Sequence, residues 1–231
     1  MPDILLLQPP IRDFYLTAKR TVPYGLACIA AALRQAGFSV DILDALATSR
    51  SRKSRLPPEM NYLKAFYGLP DVSPFGLFHH YRHFGRSYAH IQRQVERSGA
   101  FLVGISSLFT AYEQEAIKTA ETVKAALPDC KTVLGGHHPT ALPETVMQSS
   151  AVDFVLRGDG EISMPLLARA LANGKDLEQV PGLVRRGRNR ELIVSESVRI
   201  NDSNDFQLPA MELVDRSFYR RGQKSILAVV A

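Results

Sequence analysis

Three short segments carry small and polar residues at points where apolar, strand-like runs end. Hydroxyl and imidazole groups can hydrogen-bond a ligand, and glycines let a bulky ligand approach the backbone because they have no Cβ. The segments therefore supply the candidate ligand-binding residues: Ser106, Ser107, Leu108, Thr110, Gly135, Gly136, His137, His138, Gly158, Asp159, Gly160 and Glu161.

The elements that must position these segments alternate between strand and helix. Alternation of this kind predicts a parallel sheet with helices on both faces. We expect an α/β fold, specifically a flavodoxin-like, doubly wound, five-stranded parallel sheet in the order 2-1-3-4-5. Ligands of such sheets bind at the carboxyl ends of the strands, where the three segments would meet. The predicted strands are 4–7, 38–43, 101–106, 132–134 and 152–156, and the helices are 24–35, 112–126 and 162–172.

Two regions depart from this alternation. Residues 45–98 follow the second strand and predict an insertion, with a helix at 87–97. After Gly174, segments 182–186 and 191–195 predict a β-hairpin, followed by a connector around 201–205 and an apolar strand at 225–230. We therefore predict an α/β domain at 1–174 and a hairpin and connector at 175–231. Because an apolar strand is an unusual end for a domain, we expect more protein beyond Ala231.

Several ligand classes lack their sequence motifs. No G-x-G-x-x-G follows the first strand and no G-x-x-x-x-G-K-[ST] occurs, which disfavours a dinucleotide fold and excludes a P-loop NTPase. The first loop also lacks the Ser/Thr and Gly run typical of a flavin phosphate site. Ser106 and Ser107 stand where a receiver domain needs an aspartate.

The candidate residues also admit plainer interpretations. Asp159 and Glu161 could serve only as an N-terminal helix cap. Ser106 and Ser107 have no G-x-S-x-G elbow, so we assign no catalytic residue. Adjacent His137 and His138 rarely bind one ion and lack further ligands at suitable spacing, so we assign no metal. A second group of histidines predicts an aromatic-rich helix packed on the sheet: His79, His80, His83 and His90.

The charge distribution and the cysteine content are those of an ordinary globular protein with reduced cysteines. The net charge of +5 is concentrated in two clusters, around 50–55 and 185–190, without the interleaved aromatics of a nucleic-acid binder. We therefore expect no nucleic-acid partner. Two cysteines cannot form a disulfide framework, and no apolar run is long enough to span a membrane. These features, with no secretory signal at the start, predict a cytoplasmic protein.

The three segments together resemble the cobalamin-binding domain of corrinoid methyltransferases and cobalamin-dependent radical S-adenosylmethionine enzymes. Ser106-Ser107-Leu108 is similar to the family's S-x-L element, and Gly135-Gly136 to its G-G element. Gly135–Thr140 reads Gly-Gly-His-His-Pro-Thr, as in many of the radical enzymes. Gly158–Glu161 resembles their Gly-Glu-Gly-Glu turn, and 205–210 with Tyr219 resembles their connector to the radical core.

This resemblance implies that the chain binds cobalamin, whose dimethylbenzimidazole tail would pass the glycines. Two family motifs are missing. The first loop has no D-x-H-x-x-G, which implies base-off cobalamin with no histidine from that loop on cobalt. No C-x-x-x-C-x-x-C occurs, so S-adenosylmethionine and a [4Fe–4S] cluster would bind a C-terminal radical core of the same polypeptide, outside these 231 residues.

The predicted function is therefore that of a cobalamin-binding module which is not catalytic alone. Its parent enzyme would transfer a methyl group or perform a radical rearrangement or cyclisation on a small molecule. The alternatives are a cofactor-free scaffold or regulatory domain of such an enzyme, a flavodoxin-like carrier, and a nucleotide-sugar transferase half-domain.

Overall fold

The computed structural model describes residues 1–15, 22–65, 80–198 and 208–220. Its main element is a sheet of seven strands: β1 (Ile4–Gln8), β3 (Val40–Asp44), β6 (Leu102–Ser106), β7 (Lys131–Gly135), β8 (Phe154–Leu156), β9 (Leu183–Arg186) and β10 (Leu192–Val194). Their spatial order is β10-β9-β8-β7-β6-β1-β3. Within this sheet β1, β3, β6, β7 and β8 are parallel to one another, whereas β9 is antiparallel to both of its neighbours, β8 and β10.

The α/β class and the mostly parallel sheet agree with the prediction, but the sheet does not stop at five strands. Strand β9 pairs with β8 from Phe154↔Arg185 to Leu156↔Leu183. The predicted hairpin thus continues the main sheet and covers the edge of β8, which would otherwise carry unpaired backbone groups. The boundary at residue 174 stays a prediction.

Helices cover both faces of the sheet. Helices α1 (Tyr24–Gln35) and α6 (Gly160–Asn173) pack on one face with Leu6, Leu102 and Val133, while α2 (Tyr88–Ser98) and α3 (Glu113–Ala126) pack on the other with Val103 and Ile105. Helix α2 begins where the Ser87 hydroxyl accepts a hydrogen bond from the His90 N–H, and it ends at left-handed Gly99. Two short helices, α4 (His137–Ala141) and α5 (Pro143–Val146), follow β7.

The segment between β3 and β6 contributes two strands to a second sheet, and the third strand comes from the chain that follows β1. Strands β2 (Ile11–Asp13), β5 (Arg82–Phe84) and β4 (Ser51–Lys53) form three antiparallel strands in that order, and a 3-10 helix spans Pro58–Ala65. The predicted helix at 87–97 is α2.

The prediction of one histidine-bearing helix at 79–90 is wrong. His83 lies in β5, whose backbone pairs on both sides with β2 and β4, so it cannot be helical. His90 lies in α2, and His79 is outside the described residues.

Residues 208–220 pack against the first βαβ unit through α7 (Arg216–Tyr219). The Tyr219 hydroxyl donates to the Asp44 carboxylate at the end of β3, and the Ala210 N–H donates to the Ala27 carbonyl at 3.0 Å. Burial raises the pKa of Asp44, so this carboxylate depends on its hydrogen-bond donors. The predicted connector at 201–205 and strand at 225–230 lie outside the described residues.

Across the described part of the chain, every helix is too short or too polar to cross a bilayer.

Replacing Tyr219 by phenylalanine should release residues 208–220 from the domain. The change removes one donor to a buried carboxylate, so the free energy of unfolding should fall by about 1–3 kcal/mol in urea titrations followed by circular dichroism. Tyr62→Phe is the matched control because Tyr62 is exposed. Equal stabilities for the two variants would contradict the role given to the Tyr219–Asp44 contact.

Candidate functional site

A cavity of about 560 Å³ opens at the carboxyl ends of β1, β6, β7 and β8. It extends inward between the sheet and the two helices α1 and α6. Its inner walls are apolar: Leu6, Gly104, Val133 and Leu156 from the strands, Leu26 and Ile29 from α1, and Met164 from α6. The size and the apolar walls are typical of a small-molecule or cofactor site.

Two strand glycines line this cavity, and one of them leaves open space. A Cβ at Gly104 would lie 2.8 Å from Leu6 Cδ2 and 3.1 Å from Met164 Cε, so any side chain there would displace both. A Cβ at Gly135 would meet only the Leu156 carbonyl, at 3.9 Å, and would otherwise project into open space. Gly104 therefore permits close packing of Leu6 and Met164, whereas a side chain at Gly135 would project into the gap between sheet and helices.

The structure brings most of the predicted site residues to this cavity. Ten of the twelve line it: Ser106, Ser107, Leu108, Gly135, Gly136, His137, Gly158, Asp159, Gly160 and Glu161. The other two, Thr110 and His138, contact each other beside the loop that follows β6, with His138 Nδ1 3.2 Å from Thr110 Oγ1. The three segments form one rim because parallel strands end on the same side of a sheet.

The loops after β6 and β7 cross in direct backbone contact. Gly136 has φ +119°, a conformation that side-chain-bearing residues rarely adopt, and a Cβ there would lie 2.5 Å from the Ser107 carbonyl oxygen. The same oxygen accepts a hydrogen bond from the His138 N–H at 3.3 Å. The backbone crossing therefore requires glycine at position 136, whereas Gly135 leaves open space.

Ser107 carries a hydroxyl without a partner. The residue is 3% exposed, and its Oγ makes no hydrogen bond although its backbone N–H donates to the Gly135 carbonyl at 2.8 Å. A buried unsatisfied hydroxyl is costly, so native proteins usually pair it with protein, water or ligand. This hydroxyl is consistent with a site that gains a polar contact when a ligand enters.

His138 is fully enclosed behind the rim. Its Nε2 lies 3.5 Å from a carboxylate oxygen of Glu113. Among the described residues this nitrogen has no hydrogen-bond partner. His138 thus ties the helix after β7 to the start of α3. Among the described residues no group of three or more His, Cys, Asp or Glu side chains is placed to hold a metal ion.

The loop that leaves β1 is held by an ion pair and by a tyrosine–carboxylate hydrogen bond. The Arg12 guanidinium donates to the carboxylate of Glu115, which is buried, and it lies 6.0 Å from the centre of the Tyr81 ring. The Tyr112 hydroxyl donates to Asp13. These contacts anchor β2, so that Pro9, Pro10 and Ile11 form one wall of the cavity mouth.

The cavity is acidic although the chain is basic. Its described lining includes two carboxylates, Asp159 and Glu161, and no lysine or arginine. Burial raises the pKa of Glu161, and the neighbouring charge of Asp159 adds to this effect. The described residues of the lining therefore offer no lysine or arginine side chain to a phosphate.

Sequence reasoning missed the wall formed by α1. Tyr24, Gly25 and Ile29 line the cavity together with Gln8 and Gly104, yet none belongs to a recognisable motif. The signals available were Gly25 in the first turn of an apolar helix and Gly104 inside a strand, where glycine often marks a close approach.

Residues 78–168 match the family described as "B12 binding domain". This match spans β6, β7 and β8 and most of the cavity rim. The chain therefore resembles the cobalamin module of radical S-adenosylmethionine methyltransferases.

Named relatives support this resemblance. The chain is 25% identical over 201 residues to cytidylyl-2-hydroxyethylphosphonate methyltransferase of Streptomyces wedmorensis. The alignment covers 87% of this chain and 34% of that protein. The chain is 29% identical over 179 residues to hopanoid C-3 methylase of Methylococcus capsulatus, covering 71% and 33%. The chain thus spans about a third of the length of these relatives.

Solved structures share the fold. The radical S-adenosylmethionine methyltransferase TsrM from Kitasatospora setae, solved with cobalamin and a [4Fe–4S] cluster, superposes with a TM-score of 0.55 at 18% identity, covering 97% of this chain and 36% of that one. The cobalamin-dependent enzyme OxsB, solved with aqua-cobalamin and S-adenosylmethionine, gives 0.63 at 13%, covering 92% and 24%. In both cases the chain matches only a part of a longer protein.

The two glycines after β7 should respond differently to alanine. Gly136→Ala combines a strained φ with a backbone clash and should lower the free energy of unfolding by about 2–4 kcal/mol. Gly135→Ala should change it by less than about 1 kcal/mol because its Cβ enters open space. Chemical denaturation of both variants tests this difference. Similar losses in the two would show that the Ser107–Gly136 crossing is not the constraint described here.

Proposed function

We propose that this chain binds cobalamin in the cavity between β1, β6, β7, β8 and helices α1 and α6. The observation that carries the proposal is the apolar gap below the rim, where Gly135 leaves open space. A flat, apolar benzimidazole suits such a gap, and the corrin ring would lie across the mouth. Leu108 and Phe109 are 42% and 52% exposed at this mouth and offer apolar contact to the ring.

The residues present fit the group. The unpartnered Ser107 hydroxyl and the half-buried Ser106 supply polar contacts near the strand ends, as proposed for the candidate set. We propose that backbone N–H groups around Gly136 and His137 meet the phosphate, because the described lining contains no lysine or arginine. Thr110 and His138 would act indirectly by holding the β6 loop in place.

A flavodoxin-like carrier is less consistent with the same lining. Flavin mononucleotide carries a dianionic phosphate, and two carboxylates with no lysine or arginine disfavour it. Cobalamin carries a single phosphate charge that is offset by its positively charged cobalt–corrin centre. Charge thus favours cobalamin between these two cofactors.

In the parent protein we propose that this chain holds the corrin for a radical core on the same polypeptide, which would bind S-adenosylmethionine and a [4Fe–4S] cluster. Bound cobalamin would supply a cobalt able to carry a methyl group. The contribution of this chain is to bind and orient the cofactor and to keep water from its lower side, through Pro9, Pro10 and Ile11 at the mouth. The small-molecule substrate would be met by the core, and we propose no nucleic-acid partner.

Incubation with hydroxocobalamin followed by desalting should leave corrin absorbance with the wild-type chain. Gly135→Val should lose most of this retention while keeping the wild-type denaturation midpoint, because its side chain fills the gap without straining the backbone. Leu142→Val at the exposed neighbouring surface is the control and should retain cobalamin. Absence of corrin absorbance with the wild type would reject the proposal for this chain, and retention of flavin mononucleotide instead would favour the carrier.

The bound cofactor should be base-off without a histidine from the loop after β1. If the benzimidazole enters the gap, it cannot also reach cobalt. The electron paramagnetic resonance spectrum of bound cob(II)alamin should therefore lack the nitrogen splitting shown by the free, base-on cofactor. His137 lines the cavity, so His137→Ala tests whether its imidazole causes any nitrogen splitting. A nitrogen splitting that persists in this variant would contradict the expectation of a base-off cofactor.

A further inference from the structure

A second cavity, of about 660 Å³, lies between the three-stranded sheet and helix α3. One row of side chains across the sheet forms its first wall, because Arg12 on β2 and Arg52 on β4 both lie directly opposite His83 on β5. Residues opposite one another in neighbouring strands project from the same face of a sheet. Ile11, the neighbour of Arg12 in β2, lines the cavity at the strand ends instead. The two cavities therefore lie on opposite faces of β2.

The row carries two positive charges that are balanced differently. Arg12 donates to the carboxylate of Glu115. Arg52 is exposed and forms no ion pair or side-chain hydrogen bond with a described residue. Burial lowers the pKa of His83 between them, and its Nε2 donates to the Arg86 carbonyl at 3.2 Å, so the imidazole is neutral at neutral pH. The positive charge that lacks a counter-charge therefore belongs to Arg52.

Two hydroxyl groups of the same lining also lack partners. Ser54 follows β4, and Tyr88 begins α2 with its ring centre 5.9 Å from that of His83. Neither hydroxyl makes a hydrogen bond with a described residue. Burial raises the pKa of Tyr88 and the charge of Arg52 acts in the opposite direction, so these two groups are neighbours. The second cavity thus has a guanidinium and two hydroxyls whose donors meet no acceptor within the described chain.

The wall formed by α3 limits the charge that the second cavity accepts. It carries Glu113 and Glu121, and Lys118 pairs with Glu121 at 2.9 Å. These carboxylates repel a dianion such as phosphate, whereas a single negative charge is sufficient to balance Arg52. Ile117 adds an apolar contact on the same wall. A singly charged acceptor attached to a partly apolar molecule is therefore the best match to the lining.

We propose that the second cavity binds a small organic molecule through a carboxylate group that accepts hydrogen bonds from Arg52, Ser54 and Tyr88. A carboxylate is an acceptor with about four lone-pair sites, and a guanidinium can meet both of its oxygens at once. The remainder of the ligand lies along Ile117. This binding is independent of cobalamin, because the described linings of the two cavities have no residue in common.

Acetate is the probe that tests the proposal, because it presents the carboxylate alone. It is titrated into the isotope-labelled 231-residue chain while amide signals are followed by nuclear magnetic resonance, with sodium chloride as the reference at equal ionic strength. The variants are Arg52→Gln, Tyr88→Phe and the control Lys53→Gln. Lys53 is matched because it is the adjacent exposed cation of β4, but it lies outside the lining of the second cavity.

Acetate should shift the amide signals of residues 51–54, 83 and 88 to saturation, with a dissociation constant on the order of millimolar for so small a probe. Arg52→Gln should weaken this binding by about tenfold or more, because the charged donor is lost. Tyr88→Phe should weaken it by about threefold, since one neutral donor is lost. Lys53→Gln should match the wild type.

Three results would overturn the inference. The first is that acetate shifts these signals no more than chloride does. The second is an equal loss in Arg52→Gln and Lys53→Gln, which would indicate attraction to general surface charge. The third is tighter binding of inorganic phosphate than of acetate, which would contradict a site for a single negative charge. Because Arg52 is exposed, its replacement should leave the spectrum without acetate close to that of the wild type.

Discussion

The contact between the Ser107 carbonyl and Gly136 is the constraint on which the site depends. It brings the loops after β6 and β7 closer than any side chain at position 136 would allow. The His138 N–H then donates to the same carbonyl, so α4 starts directly on the β6 loop. This crossing fixes one side of the cavity mouth, and the remaining rim residues are positioned relative to it.

Open space beside a strand glycine and a helix glycine contributes to the cavity. A Cβ at Gly25 would meet no atom within 4 Å, and one at Gly135 would meet only the Leu156 carbonyl. The core on the same face is filled farther along by Leu33, Leu102 and Leu167. Dense packing at one end of the layer therefore supports an open gap at the other, which a rigid ligand site requires.

The distribution of charge separates stability from binding. Arg186, in a basic cluster that first suggests an anionic partner, donates instead to the carbonyls of Met147, Ser149 and Val152. Arg12 is occupied by Glu115. In contrast, the carboxylates of Asp159 and Glu161 lie in the cavity. The net charge of the chain is positive, whereas the charged side chains of the described cavity lining are negative. Net charge alone is therefore a poor guide to this site, because electrostatic selection depends on the groups nearest the ligand.

Helix α1 also links the cavity to the C-terminal residues 208–220. Tyr24 and Ile29 line the cavity, while Ala27 on the same helix packs with Val214 and Tyr219. The Ala210 N–H and the Tyr219 hydroxyl attach these residues to α1 and β3. A ligand that contacts α1 is thus separated by a single helix from residues 208–220.

The sequence by itself determined the α/β class, the alternation of strands and helices and the three loops that form the rim. It did so because apolar periodicity is local and because parallel strands necessarily end on one side. Only the tertiary structure decided the pairing of β9 with β8, the sheet formed by β2, β5 and β4, and the different roles of Gly135 and Gly136. It also revealed the wall of the cavity that α1 forms. These features depend on contacts between residues far apart in sequence, where spacing along the chain carries no information about which groups meet.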